Sequence, residues 1–340
     1  MKIAILTPTF HHYSGIDRVV ELQAEDYAKK GNKVVVYALE SSINPKDYQV
    51  KVIGMPKSSF LQRIYRLLFF FDIAKIRKYS NELKGYDIVI SHLYPMNWLA
   101  YFARKKSGIK YVYYNHGIGH AHLFNNLLER IYMSVFLKLS NLSLKNVDEA
   151  ISVSRFLRKE LKNESGIDSK VVYNRIDSKR FRKGIDGGKI RKLLRIGKNG
   201  KMLLFVGRIS PHKNIHTLIK IFQTIKNKIP DARLVIVGKP TFGHYYSSLR
   251  KNANKDIIFQ ESVDDGELPH YYAACDVYAT CSLWEGFDLP AAEAQACGKP
   301  VVAFDICSHP EIVKNGILVE KDDLEGFAEA VIKLIQKHDI

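Results

Sequence analysis

The chain has 340 residues, 46% of them hydrophobic and 26% charged, a balance that excludes a disordered polypeptide and supplies two cores more readily than one. Its net charge is +17, and residues 1–180 hold 29 Lys and Arg against 16 Asp and Glu, so most of the excess is N-terminal. That charge suits nucleic acid, anionic lipid or a phosphorylated ligand, or it is simply a lysine-rich solvated surface. No apolar run approaches the roughly 20 residues of a spanning helix.

The opening MKIAILTPTF is too short for a signal peptide and reads as a first buried strand. KIAILT (2–7), KVVVYAL (33–39), YDIVIS (86–91), KYVYYN (110–115), EAISVS (149–154) and KVVYN (170–174) are short, β-branched and non-alternating, as parallel strands buried on both faces should be. Between the second and third lies SSFLQRIYRLLFFFDIAKIRKYS (58–80), which mixes Arg and Lys with Leu and Phe at helical spacing. It suits either a core helix with a basic outer face or a helix lying on an anionic membrane. The polar, basic, Gly-containing run 174–200 reads as a linker, set at 176–200, plus the first edge of a second domain. The pattern then restarts with strands at 201–207, 232–238, 256–260, 276–280, 299–304 and 316–320, separated by helices near 212–228, 243–254, 266–274, 290–298, 308–314 and 322–337. Alternating β and α segments predict two Rossmann-like, doubly wound parallel-sheet domains, residues 1–175 and 201–340, facing across a cleft. Ligands in such folds bind at the carboxyl ends of strands. The four cysteines, Cys275, Cys281, Cys297 and Cys307, form no C-x-x-C pair and read as reduced thiols of a cytoplasmic chain.

Four stretches carry candidate chemistry. In VGRISPHKN (206–214) a strand ends at Gly207, Arg208 follows, and Lys213 opens the next helix. Two cations there suit a diphosphate, one as a planar fork and one as a point charge, although Arg-x4-Lys alone fits a solvated surface equally well. In LWEGFDLPAAEAQACGKPVV (283–302), Glu285 and Glu293 are separated by seven residues, and Pro290 suits a first helical turn. The turn Gly286, Phe287, Asp288, Leu289 offers backbone N–H groups to an anion or a sugar oxygen. Glu293 can accept from two adjacent hydroxyls, as a ribose presents, and Glu285 can do so for a hexose. The alternative is that both serve only the helix dipole. In TPTFHHYSGIDRVVE (7–21), Gly15 stands at a helix start without the full G-x-G-x-x-G, so a phosphate is admitted but not specified. In YNHGIGHAHLF (114–124), His116 lies just past a strand end and suits a substrate hydrogen bond. His120 and His122 read as structural or solvated, since no Cys or carboxylate completes a zinc set.

The block Glu285–Val302, joined by V-G-R-x4-K at Val206–Lys213 and by LVIVGKP at 234–240, resembles the nucleotide-binding half of the family 4 retaining glycosyltransferases of GT-B fold. The N-terminal half is similar more loosely, through 14–38, His116–Gly117, 151–154 and 173–181. The resemblance implies transfer of a sugar from a nucleotide-diphosphate sugar to a glycan or lipid-linked acceptor, with retained configuration. It implies that Arg208 and Lys213, with Gly207, hold the diphosphate, that Glu293 binds the ribose, that Glu285 and residues 286–289 contact the sugar, that His116 lies by sugar and acceptor, and that Gly15 lies by the phosphates. Three departures stand out: Ser14 replaces a glycine, Asp288 replaces the glycine of E-G-F-G-L-P, and the chain ends soon after its last helix. Asp288 would face sugar hydroxyls and tune sugar choice. No D-x-D triplet is present, so neither metal nor other cofactor is expected, and the acceptor would attack from the front face. A sugar-nucleotide epimerase or a non-catalytic nucleotide-sugar-binding subunit are the alternatives on the same fold. The membrane reading of 58–80 would make the chain peripheral at the inner face of an anionic membrane; nucleic acid is not expected, for want of any basic-aromatic module.

Overall fold

A computed structural model describes residues 1–12, 15–123 and 126–337. Contacts divide the chain into two compact units, the first ending at Arg175 and the second beginning at Ile176, with the short piece His122–Asn125 assigned to the second.

The first unit holds β1 Lys2–Phe10, α1 Gly15–Lys29, β2 Lys33–Ser41, β3 Gln49–Val52, α2 Ser59–Leu67, α3 Ile73–Glu82, β4 Ile88–Ser91, α4 Asn97–Ser107, β5 Lys110–Asn115, α5 Leu127–Leu142, β6 Glu149–Ser152, α6 Arg155–Ser165 and β7 Lys170–Val171. Its seven strands are all parallel, in the order β3-β2-β1-β4-β5-β6-β7. Burial on both faces explains the β-branched runs: Ala4 and Leu6 of β1 enter one core, Ile3 and Ile5 the other.

The second unit holds α7 Gly188–Leu193, β8 Lys201–Val206, α8 Ile215–Lys228, β9 Ala232–Val237, α9 Gly243–Asn252, β10 Ile257–Gln260, α10 Leu268–Ala274, β11 Val277–Thr280, α11 Leu289–Ala296, β12 Val301–Phe304, α12 His309–Ile312, β13 Gly316–Val319 and α13 Leu324–Lys337. Its six parallel strands run β10-β9-β8-β11-β12-β13. Along β8, Leu203 and Phe205 serve one core while Met202, Leu204 and Val206 serve the other. Each such fully buried side chain contributes about 1.5–3 kcal/mol.

The stretch 176–200, expected as a linker, packs wholly within the second unit. Phe181, Ile190, Leu194 and Ile196 are buried in its core, and they are the apolar minority that the surrounding lysines and arginines conceal in the sequence. Strand β3 escaped the sequence reading because QVKV alternates polar and apolar residues and lies at the sheet edge, half-exposed.

In each sheet the strand order reverses beside the first strand of the unit, between β1 and β4 and between β8 and β11. Chain connections leave in opposite directions there, which opens a crevice at the strands' carboxyl ends. The candidate residues gather at these two places.

Candidate functional site

In the second unit, the end of β8 is shaped by a close backbone approach. Gly238, past β9, has φ +148°, and a Cβ there would lie 1.9 Å from the Gly207 carbonyl oxygen. Gly207 in turn donates its N–H to Val237 O at 2.9 Å. Only glycine fits such a contact, and it turns the chain out of the sheet so that Arg208 emerges exposed at the strand end. Ile209 then dives back into the core at 0% exposure, and a short 3-10 turn, Pro211–Lys213, precedes α8.

The loop after β11 is tied to that turn: the Leu283 N–H donates to His212 O at 2.8 Å. This brings Glu285 against Lys213, whose Nζ forms an ion pair with the Glu285 carboxylate. Arg208 lies close enough for its charge to interact with Glu285. His212, flanked by both cations, accepts or donates at Nδ1 with Ser210 Oγ, 3.2 Å away. Burial, then the neighbouring Lys213 and Arg208, lower its pKa to about 3, so the ring is neutral at physiological pH.

Past Glu285 the turn reaches Asp288, which adopts the left-handed conformation at φ +63°. This accounts for an aspartate where glycine is usual, since Asp is among the few residues that tolerate the region. Its carboxylate is turned inward rather than toward a ligand. Oδ1 accepts from the Ala291 N–H at 3.2 Å and caps α11, while Oδ2 accepts from His309 Nε2 at 3.0 Å. The expectation that Asp288 tunes sugar choice by facing hydroxyls is therefore corrected: the side chain is 1% exposed and committed to His309 and the helix. Phe287 and Leu289 flank it, the latter starting α11, with Pro290 in the first turn as expected.

His309 is an unforeseen member of this site. Its Nδ1 donates to the Phe304 carbonyl at 2.8 Å and its Nε2 to Asp288, so both ring nitrogens carry protons and the ring is an imidazolium. Burial opposes that charge, but the hydrogen bond and charge of Asp288 outweigh it and hold the His309 pKa above its ordinary value. For Asp288 burial acts upward, and His309 and Lys213 override it to hold the pKa below the usual carboxylate range. Ser308 Oγ adds a bond to Glu285 O at 3.0 Å, so the segment before α12 clasps the turn 285–288 at both ends.

Glu293 lies one turn into α11, 2% exposed, and accepts from Tyr272 Oη at 2.8 Å. Asp288, Glu285 and Glu293 all act on the buried Tyr278 hydroxyl, whose pKa is driven well up by burial first and then by these three carboxylates.

Ligand atoms of Glu285, Asp288 and His309 lie within 4.8 Å of one another, the spacing of a metal site. The donor chemistry does not fit one. Both His309 nitrogens are spent as donors, and Lys213 already supplies the positive charge against Glu285.

In the first unit, His116 follows β5 and is 7% exposed. It meets His92, which follows β4 and was missed from sequence: His92 Nδ1 and His116 Nε2 are 2.8 Å apart, and the rings stack with centroids 5.1 Å apart. His92 Nε2 bonds Gln23 Oε1 of α1 at 2.9 Å. An amide oxygen only accepts, so His92 carries its proton on Nε2, and its Nδ1 accepts from His116 Nε2–H. That leaves His116 Nδ1 with a lone pair. Burial lowers the His116 pKa to about 4 and keeps both rings neutral. A histidine directly after IVIS, at the end of a strand beside β5, was the available signal for His92. Gly15 begins α1, Ser14 lies outside the described residues, and Asp17 in the first turn is buried, accepts from the His11 N–H at 3.0 Å, and is raised by burial to about 7. His120 is used structurally, 2.5 Å from Glu160 of α6, while the side chain of His122 lies outside the described residues. The four cysteines are free.

Both units match known protein families. Residues 13–180 match the profile of Glycosyltransferase Family 4, and residues 187–339 that of Glycosyl transferases group 1. The UDP-Gal:alpha-D-GlcNAc-diphosphoundecaprenol alpha-1,3-galactosyltransferase of Escherichia coli is 27% identical over 265 residues, 73% of this chain and 66% of that relative. Among solved structures, sucrose-phosphate synthase from Thermosynechococcus elongatus superposes with a TM-score of 0.81 at 20% identity, over 99% of this chain and 90% of that one. Anabaena HepE in complex with UDP and glucose gives 0.79 at 22% identity, over 100% and 91%.

Proposed function

The chain belongs to the glycosyltransferases that these two profiles describe, with two parallel-sheet α/β domains of the GT-B fold, and on that premise we propose that it moves a sugar from a nucleotide-diphosphate sugar to a glycan or lipid-linked acceptor with retention and without a metal. The observation that carries this reading is the meeting of Lys213 and Arg208, at the end of β8, with Glu285 and the turn that opens α11.

Departure of the nucleotide builds negative charge on the diphosphate. Lys213 and Arg208 are fixed cations placed for that charge, and the α11 N-terminus adds its dipole; preorganised groups of this kind lower a barrier without reorganising. Glu293 takes the ribose hydroxyls. Glu285, Gly286, Phe287 and Leu289 take the sugar, and Gly207 lets the diphosphate approach the backbone. Gly15 serves phosphate at α1, and the His116 lone pair accepts a hydroxyl proton of donor or acceptor. With lysine on Glu285 and an imidazolium on Asp288, fixed cations stand where a divalent ion would bind, which favours metal-independent transfer. Asp288 stays committed to His309 and the start of α11, and Glu285, once the diphosphate draws Lys213 away, accepts from sugar hydroxyls, which favours attack by the acceptor from the leaving-group side. We place the enzyme peripherally at an anionic bilayer, where a lipid-linked acceptor would be met.

The test is incubation with labelled UDP-, GDP- and ADP-sugars, plus chelator, over glycan and lipid-linked acceptors. Label moving to an acceptor, unaffected by chelator and with configuration kept, is expected. Free epimer or binding without product would favour the alternatives.

A further inference from the structure

Among the described residues, sixteen large hydrophobic side chains are exposed, and eleven of them fall within residues 60–73 and 127–142, a small part of the chain. In α2 and the turn after it, Phe60, Leu61, Ile64, Leu68 and Phe71 are 41–68% exposed. In α5, Leu127, Leu128, Ile131 and Val135 are 39–74% exposed, at the spacing of one helical face. A surface helix ordinarily turns such a stripe toward the core. Here both helices turn it outward, and scattered exposure does not explain eleven residues in two segments.

The two helices form one surface. Arg63 of α2 makes a double hydrogen bond to Glu129 of α5, at 3.1 and 2.6 Å, and stacks 5.0 Å over Tyr132, whose hydroxyl bonds Arg63 O. Inward-facing residues anchor them: Phe136 packs on Tyr94 with centroids 4.6 Å apart, and Tyr65 bonds Asp72 at 2.8 Å. Residues 57–80 and 127–142 together carry eight Lys and Arg but only two acids. Both acids are neutralised, Glu129 by Arg63 and Asp72 by Lys75. Lys57, Arg77, Lys78, Arg130 and Lys138 remain exposed.

We propose that this joint face of α2 and α5 is a docking surface for an anionic lipid bilayer, with Leu and Phe side chains entering the headgroup boundary and the basic rim meeting lipid charge. The proposal rests on the peripheral placement given above and names the part of the chain that performs it. The occupant follows from the chemistry. A protein partner or second copy would be matched by acids or by a polar rim of both signs, whereas an apolar stripe with only cations unpaired is the pattern of an interfacial helix. No described helix is long and apolar enough to cross a membrane, so the contact is a surface one. The sequence reading saw only the first half of this face; α5, with three charges in sixteen residues, gave no sign that its apolar side points out.

The experiment is flotation of the full chain with vesicles of phosphatidylcholine alone and of equal parts phosphatidylcholine and phosphatidylglycerol. The wild type should float with the anionic vesicles, lose binding as salt rises, and ignore the neutral ones. Leu128→Ser/Ile131→Ser should abolish flotation, and Arg130→Gln/Lys138→Gln should weaken it roughly fivefold per charge removed. Both variants should keep the wild-type melting temperature and its nucleotide-induced rise, which separates failure of docking from failure of the enzymatic reading. Flotation unchanged in both variants, equal binding to neutral vesicles, or a dimer that the first variant dissolves while vesicles are ignored would overturn the assignment.

Discussion

Lys213 Nζ is paired with the Glu285 carboxylate, and the two side chains are only 12% and 10% exposed. On the function proposed above, the cation that would meet the diphosphate is here held by the acid that would meet the sugar. A diphosphate must draw Lys213 away, which leaves Glu285 ready to accept from hydroxyls. Glu285→Gln should release the lysine in advance. Nucleoside diphosphate should then bind severalfold tighter, because it no longer has to displace a carboxylate from the lysine, while kcat falls. Calorimetric titration beside steady-state kinetics checks this; weaker binding would show that the pair assists the nucleotide instead.

Lys213→Ala should do two separable kinds of harm. It strands a buried carboxylate, at a cost of about 3–5 kcal/mol, and removes leaving-group stabilisation worth about 10²–10³ in kcat. Adding Glu285→Gln should restore much of the melting temperature and none of the turnover. If turnover returns with the melt, Lys213 is structural only.

The Asp288–His309 pair predicts a stability plateau between the ordinary aspartate and histidine values, on the mildly acid side of neutrality. The His309 pKa is raised in the fold, so its contribution is complete below the ordinary histidine value and is lost as pH rises through the elevated one. The Asp288 pKa is depressed, so its contribution is present above the ordinary aspartate value and is lost as pH falls through the lowered one. Asp288→Asn should cost about 3 kcal/mol at neutral pH and flatten the dependence. Urea midpoints at acid, neutral and alkaline pH measure it; parallel curves for the two proteins would refute the pairing.

His92→Leu should lower kcat about tenfold to a hundredfold by freeing the His116 ring to adopt the wrong tautomer, with little change in the donor KM. The wild-type pH–rate profile should show no inflection from His116 in the usual histidine range, because its pKa is near 4. An acid limb at that range that disappears in His116→Gln would contradict the neutral relay.

Gly238→Ala places a Cβ against the Gly207 carbonyl at a φ that L-residues avoid. A loss of about 3 kcal/mol or more is expected in denaturant melts, and an unchanged midpoint would show that the β8 end can yield.

The strands were legible because both-face burial writes itself as unbroken Val, Ile and Leu, and the site loops because Gly, Pro and Glu recur where strands stop. What stayed hidden depended on partners distant in sequence. His309 is one histidine before a proline until Asp288, twenty-one residues earlier, is seen to accept its hydrogen bond. His92 gains meaning only beside His116, and 176–200 looks like linker because its four core residues are diluted by lysine. The polar side of Asp288 was read outward, whereas its left-handed backbone and helix-capping bond turn it in.

The most direct test of the account is a crystal structure with an intact nucleotide-diphosphate sugar bound. The diphosphate should lie against Arg208 and Lys213, with Lys213 Nζ withdrawn from Glu285 and Glu285 turned to the sugar. Density for the diphosphate elsewhere, or at that place with the Lys213–Glu285 pair intact, would contradict it.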